Sequence, residues 1–183
     1  PAAVTQFTKT LAKDQAATLF KLLGKYKPET RKEKATRLKT AAANEVDGKK
    51  AAATAKPKVI KYGLDHVTSL IESKKAKLVV IAHDVNPLEL TIWLPTLCRK
   101  MNVPFVIVKG KARLGYLVHK KQAAVLALTE VEKEDEAGLQ QLQDLANTAF
   151  GLPERKAGGL NLSVKSKQLI IKREQAAKNT IKA

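Results

Sequence analysis

Cysteine is nearly absent from this chain. Cys98 is the only one, which excludes a disulfide framework and any zinc site built on several thiolates. Aromatic residues make up 4% of the sequence, too few for a broad surface of stacking platforms for single-stranded nucleic acid. Apolar runs such as Leu78 to Ala82 are of strand length, far below the ~18 residues a membrane-spanning helix needs. Large apolar side chains are fewer than a 44% apolar content suggests, because 26 of those residues are Ala. No signal peptide precedes the first polar residues, so a soluble intracellular protein is expected. The chain starts at Pro1 rather than Met, so a missing upstream piece is also expected.

Acidic residues are half as numerous as basic ones. The 183 residues hold 34 Lys+Arg against 17 Asp+Glu, a formal net charge of +17. A charge of this size and sign implies a polyanionic partner, nucleic acid before an anionic membrane surface. The charge is unevenly laid out. Residues 1–57 carry net +8, residues 58–128 another +8, and residues 129–183 only +1. That last part divides into a −5 stretch over 129–144 and a +6 tail over 145–183. The acidic stretch reads as the solvated start of a helix, where carboxylates favour the dipole.

This layout suggests three segments: a basic helical arm and linker over 1–57, a compact domain over 58–150, and a basic tail over 151–183. In the arm, Phe7, Leu11, Leu19, Phe20, Leu22 and Leu23 form an apolar stripe ending at Gly24, a C-cap signal. Pro28-Glu29-Thr30 starts a second helix, with Glu29 expected in its first turn. Arg31, Lys32, Lys34, Arg37 and Lys39 make that helix basic, and Leu38 is its one aliphatic larger than Ala. Such a helix cannot hold itself to a core by burial. Residues 44–58 have a linker composition. The tail's helix is expected between Ser163 and Lys182.

Within 58–150, strands and helices alternate. Strands are expected over Val59–Tyr62, Leu78–Ala82, Val103–Val108 and Ala123–Leu128. Helices are expected from Asp65, as cap, to Lys75, from Asn86-Pro87 to Met101, from Lys111 to Val118, and from Leu139 to Phe150. The helix from Asn86 would turn Leu90, Leu94, Leu97, Cys98 and Met101 inward, and the last helix Leu139, Leu142, Leu145 and Ala149. This alternation favours a three-layer α/β/α sandwich around a small mixed sheet.

Few residues suggest catalysis. His83-Asp84 follows a buried strand, where ligands sit in many α/β sheets. Neither His66 nor His119 stands at metal-site spacing from it, and a capping role for Asp84 is the simpler reading. Cys98 falls on an apolar helical face. Lys109-Gly110-Lys111 has neither of the glycine spacings that cradle phosphates. No cofactor and no small-molecule substrate is expected, and the chain reads as a non-enzyme. The bases say more. Lys74, Lys75, Lys109, Lys111, Arg113, Lys120 and Lys121 all fall in or beside turns. In an alternating α/β unit turns gather at the two ends of the sheet. The Gly63–Asp65 turn and those after Val108 and before Ala123 can therefore share an edge, forming a basic rim for phosphates.

Four stretches carry a resemblance: Ala76 through Pro87, Leu94 through Cys98, Asn102 through Phe105, and Lys109 through Gly115. Together they resemble the kink-turn RNA-binding family. That family includes archaeal and eukaryotic large-subunit ribosomal proteins and box C/D small-ribonucleoprotein subunits. The block Lys25 to Thr30 resembles its eukaryotic large-subunit branch. The resemblance implies an α/β/α sandwich that binds large-subunit ribosomal RNA without catalysis. It also implies neighbouring ribosomal proteins, a place in cytoplasmic ribosomes, and assembly in the nucleolus. Its RNA-reading motif, Gly-x-Asn-Glu-x-x-Lys, falls on Gly63, Asp65, His66 and Ser69, with Thr68 inside it. Only Gly63 is kept, and Ser69 cannot supply the charge of the basic residue it replaces. The family's apolar loop before the last strand reads His119-Lys120-Lys121-Gln122 here. Both departures favour phosphate contact over specific kink-turn reading. Arg31, Lys32, Lys34 and Arg37 would reach adjacent RNA from the arm. Three readings stand beside this one: a kink-turn-binding subunit of a small ribonucleoprotein outside the ribosome, a hydrolase using His83 and Asp84, and an anionic-membrane binder. The last would need an amphipathic helix that Pro28–Ala43 does not provide.

Overall fold

The structure is a computed structural model and describes residues 2–46, 57–151 and 163–182. Most of the expected linker, residues 47–56, and the start of the expected tail, residues 152–162, lie outside the described residues. Two compact units are present, Pro1–Gly151 and Leu152–Ala183.

The first unit begins with a short helix α1 (Ala2–Thr5), then α2 (Lys13–Lys25) and α3 (Arg31–Val46). There follow β1 (Lys61–Tyr62), α4 (Leu64–Glu72), β2 (Leu78–Ala82), α5 (Leu94–Met101), β3 (Phe105–Val108), α6 (Lys111–Leu117), β4 (Val125–Leu128) and α7 (Glu136–Phe150). The second unit contains α8 (Val164–Lys182). The strands form one mixed sheet in the order β1-β4-β2-β3. β2 and β3 are parallel, with Ala82 opposite Val108; β4 runs antiparallel to β2, with Ile81 opposite Val125; β1 runs antiparallel to β4.

Every residue of β2, β3 and β4 is buried. Strands with both faces covered carry continuous apolar runs, as these do. Helices supply the cover: α4 packs on β1, β4 and α5, while α7 packs on β3 and α2. The α/β/α sandwich is therefore the observed fold.

Local chemistry moves several boundaries. α4 starts at Leu64 behind Gly63, so Asp65 lies in its first turn and does not cap it. α5 starts at Leu94, not Asn86, with Pro95 at a first-turn position where a missing amide hydrogen costs nothing. Leu90 precedes that helix and is 45% exposed, so it does not face inward. Along α7 the fully buried stripe is Leu139, Leu142, Ala146 and Phe150, with Leu145 and Ala149 only partly covered. Gly24 lies inside α2, and Tyr26 caps that helix.

The N-terminal segment is built into the body as far as Tyr26. Leu19 and Leu23 are fully buried in the same core as the sheet. The Leu11 amide donates to the Ile107 carbonyl at 2.9 Å, which occupies the open edge of β3. The acidic stretch receives the end of α2 and is not simply solvated. The Tyr26 hydroxyl donates to Asp135 Oδ2 at 2.7 Å and accepts the Glu132 amide at 2.9 Å. The Lys25 ammonium meets Asp135 Oδ1 at 2.5 Å. These two donors hold the Asp135 carboxyl below its ordinary value. A depressed carboxyl stabilises the fold while ionised and stops doing so as pH falls through its folded value. Asp135→Asn should therefore lower the thermal midpoint at neutral pH, with the gap closing as pH drops below about 3.8. A gap of equal size at about pH 7 and about pH 3 in thermal melts would contradict this linkage.

α3 differs from α2 in kind. Thr30 and Glu33 form a reciprocal capping box, with the Glu33 amide donating to Thr30 Oγ1 at 3.3 Å and the Thr30 amide to Glu33 Oε2 at 2.7 Å. Thr30 is thus the cap, and Glu29 lies ahead of the helix. No residue of α3 is buried. Its form comes from capping and propensity, and its basic surface is left open.

Candidate nucleic-acid interface

Strand directions decide which turns meet. β2 and β3 are parallel, so the turns after Ala82 and Val108 lie at one end of the sheet. β4 enters the sheet from that same end, and β1 leaves it there. Four stretches converge: Gly63–Asp65, His83–Val85, Lys109–Lys111 and the approach to β4 through Lys120 and Lys121. The shared basic edge is therefore present.

Its local construction is specific. Gly63 has φ +96°, a conformation that a side chain would strain. It lets β1 turn straight into α4 and opens the first-turn amides of that helix on the rim. Asp65, His66 and Ser69 are exposed and Thr68 is half-buried. The Thr68 and Ser69 hydroxyls donate back to the Leu64 and Asp65 carbonyls at 2.8 and 3.1 Å. Asp84 Oδ1 accepts the Lys111 amide at 2.7 Å, and His83 Nδ1 accepts the Gly110 amide at 3.3 Å. Both side chains thus fix the Lys109–Lys111 turn, a positioning role. Cys98 is fully buried, and burial pushes its thiol up to about 12, so it stays a neutral core side chain.

The turn carrying Lys120 and Lys121 is pressed against α6. The Lys120 amide donates to the Gly115 carbonyl at 2.9 Å, and the Ala123 amide to the Lys111 carbonyl at 3.1 Å. A Cβ at Gly115 would lie 2.7 Å from both the Gln122 nitrogen and the Lys120 oxygen. Gly115→Ala should cost about 1–3 kcal/mol by overpacking against backbone. It should also displace the two lysines, read as a lower denaturation midpoint together with changed acetylation rates at Lys120 and Lys121. Parent-like values for both would show that the turn yields freely.

Lys109, Lys111, Lys120 and Lys121 have no carboxylate partner among the described residues. From Lys109 to Gln122 the chain has five basic residues and no acidic one. Other expected contact residues lie elsewhere or are engaged. Lys74 and Lys75 precede β2, at the opposite end of the sheet from the rim. Arg113 lies over the Phe20 ring, 4.4 Å from its centroid. Arg37 makes a two-pronged pair with Glu29 at 2.8 and 2.9 Å. Arg31, Lys32 and Lys34 are exposed on α3. Lys61 and Tyr62, expected only as strand residues, lead directly into Gly63; Lys61 is half-buried and Tyr62 exposed.

A profile of the ribosomal protein L7Ae/L30e/S12e/Gadd45 family matches residues 45–139. The chain belongs to this family. The span matched contains the whole sheet and every rim residue. Large ribosomal subunit protein eL8A of Candida albicans is 58% identical over 151 residues, covering 82% of this chain and 58% of that protein. Large ribosomal subunit protein eL8 of Tetrahymena thermophila is also 58% identical, over 150 residues. The Schizosaccharomyces pombe eL8 is 49% identical over 187 residues, covering 100% of this chain and 72% of its own length. The chain thus spans 58% of the length of the first two. Similarity to the last extends beyond the family span into the N-terminal helices and the tail.

Proposed function

We propose that this chain is a structural constituent of the large ribosomal subunit that binds folded ribosomal RNA through the rim and takes part in subunit assembly. The observation that carries the reading is the convergence of Lys109, Lys111, Lys120 and Lys121 beside the Gly63 turn, without paired acids among the described residues. Its relatives, named as large ribosomal subunit proteins, supply the ribosomal setting. The ligand is RNA backbone met by point charges, and the rim carries no catalytic step and needs no cofactor. Arg31, Lys32 and Lys34 on α3, which is not buried among the described residues, reach further phosphates. α8 is basic and leaves Leu169 and Ile171 about half exposed, which suits contact with RNA or a neighbouring ribosomal protein. The site of action is the cytoplasmic ribosome, with assembly in the nucleolus. Persistence on large subunits through a high-salt wash and sedimentation is the expected result, and full release into the supernatant would refute the assignment.

The alternative, a kink-turn reader outside the ribosome, keeps only Gly63 of the motif, and the relatives, all named as large ribosomal subunit proteins, do not favour it. Exchange of the sheared G·A pairs in a minimal kink-turn tests whether the rim reads more than phosphates. Phosphate contact predicts little change in affinity, and a large loss would show that the kink-turn itself is read.

A further inference from the structure

We propose that Tyr116 is a stacking site for one unpaired RNA base, a contact that rests on the RNA-binding reading and extends it beyond the phosphates. The chain has eight aromatic residues. Phe7, Tyr26, Phe105 and Phe150 are buried, and Phe20 lies under Arg113. Trp93 and Tyr62 are 38% and 41% exposed, whereas Tyr116 is 72% exposed. Tyr116 is the most exposed of the eight, on the helix that opens from the rim.

Its surroundings suit nucleic acid. The Lys27 ammonium lies 4.2 Å from the ring centroid. A cation over one face draws electron density from the ring, which makes the other face a better partner for an electron-rich base. Arg113 lies one helical turn earlier, and Lys120 and Lys121 follow in the next turn. All fall within the acid-free run from Lys109 to Gln122. An exposed aromatic ring with Lys27 over one face, on a stretch of chain rich in bases, matches a base with its flanking phosphates. An apolar protein surface would leave these cations without a counter-charge.

The test uses the full chain and two RNA duplexes of equal phosphate count. One carries a single bulged adenine and the other is fully paired. Tyr116→Ala sits on an exposed helical face and improves helix propensity, so folding is not at risk. Stacking predicts that this variant loses about 5- to 150-fold on the bulged duplex, with no comparable loss on the paired one. Tyr116→Phe, which keeps the ring, should retain parent affinity. Bulged-duplex binding unchanged in Tyr116→Ala, with the parent still binding both RNAs, would overturn the stacking site and leave the RNA reading intact. Failure of the parent to bind either RNA would overturn both. Unchanged RNA binding together with loss of large-subunit co-sedimentation would assign the ring to a protein neighbour, again overturning the proposal.

Discussion

Replacing Lys109, Lys111, Lys120 and Lys121 together with alanine should flatten the slope of log affinity against log salt by about 3. Each phosphate neutralised by a lysine releases a condensed counterion, and each such contact contributes roughly 0.7–0.9 to the slope. Four contacts of this kind are worth about 10²–10³ in affinity between 1 M and physiological salt, so a loss of that order is expected. The four side chains have no carboxylate partner among the described residues and lie in or beside turns, so their removal should leave the fold intact. The contrast is Lys74→Ala/Lys75→Ala, which removes two lysines from the far end of the sheet. Its slope should stay near the parent's. A shared loss in both variants would mean that RNA responds to overall charge and not to the rim.

Leu19→Ala carries the second large effect. Leu19 is fully buried where α2 joins the core. Truncating such a leucine costs about 2–5 kcal/mol, from lost transfer energy and the cavity left behind. For a body of this size the thermal midpoint should fall by about 5–15 °C. Leu38→Ala on α3 is the matched control. Leu38 is 51% exposed, and its loss should cost less than about 0.5 kcal/mol. If Leu19→Ala melted like the parent, the segment up to Tyr26 would be a detached arm, and the anchoring at Leu11, Lys25 and Tyr26 would carry no weight.

These two predictions fall on either side of what the sequence discloses. β2 is legible residue for residue, because five consecutive apolar side chains need cover on both faces. The alternation around it leads to the layered fold, and then to turns sharing a sheet end. The direction of each strand is not written locally. Lys74-Lys75 and Lys120-Lys121 look alike as sequence, and only the pairing of β4 with β2 puts them at opposite ends. The docking of α2 is hidden for a related reason. Its stripe at Leu19, Leu22 and Leu23 is plain, but the carboxylate that receives Tyr26 lies 109 residues away. No periodicity connects the two. Asp84 reads as a cap, yet the helix it caps begins 27 residues later in the chain. α6 has seven residues, barely two turns, so its spacing alone does not tell an exposed Tyr116 from a buried one.

Lysine reactivity offers the most direct test of the central claim, that one end of the sheet is the RNA face. The intact chain, free and then bound to large-subunit ribosomal RNA, would be acetylated under limiting reagent and each lysine's rate read by mass spectrometry. The account predicts strong protection on binding at Lys109, Lys111, Lys120 and Lys121, with Lys74 and Lys75 reacting as they do in the free chain. Protection of Lys74 and Lys75 with the rim lysines left reactive would contradict it.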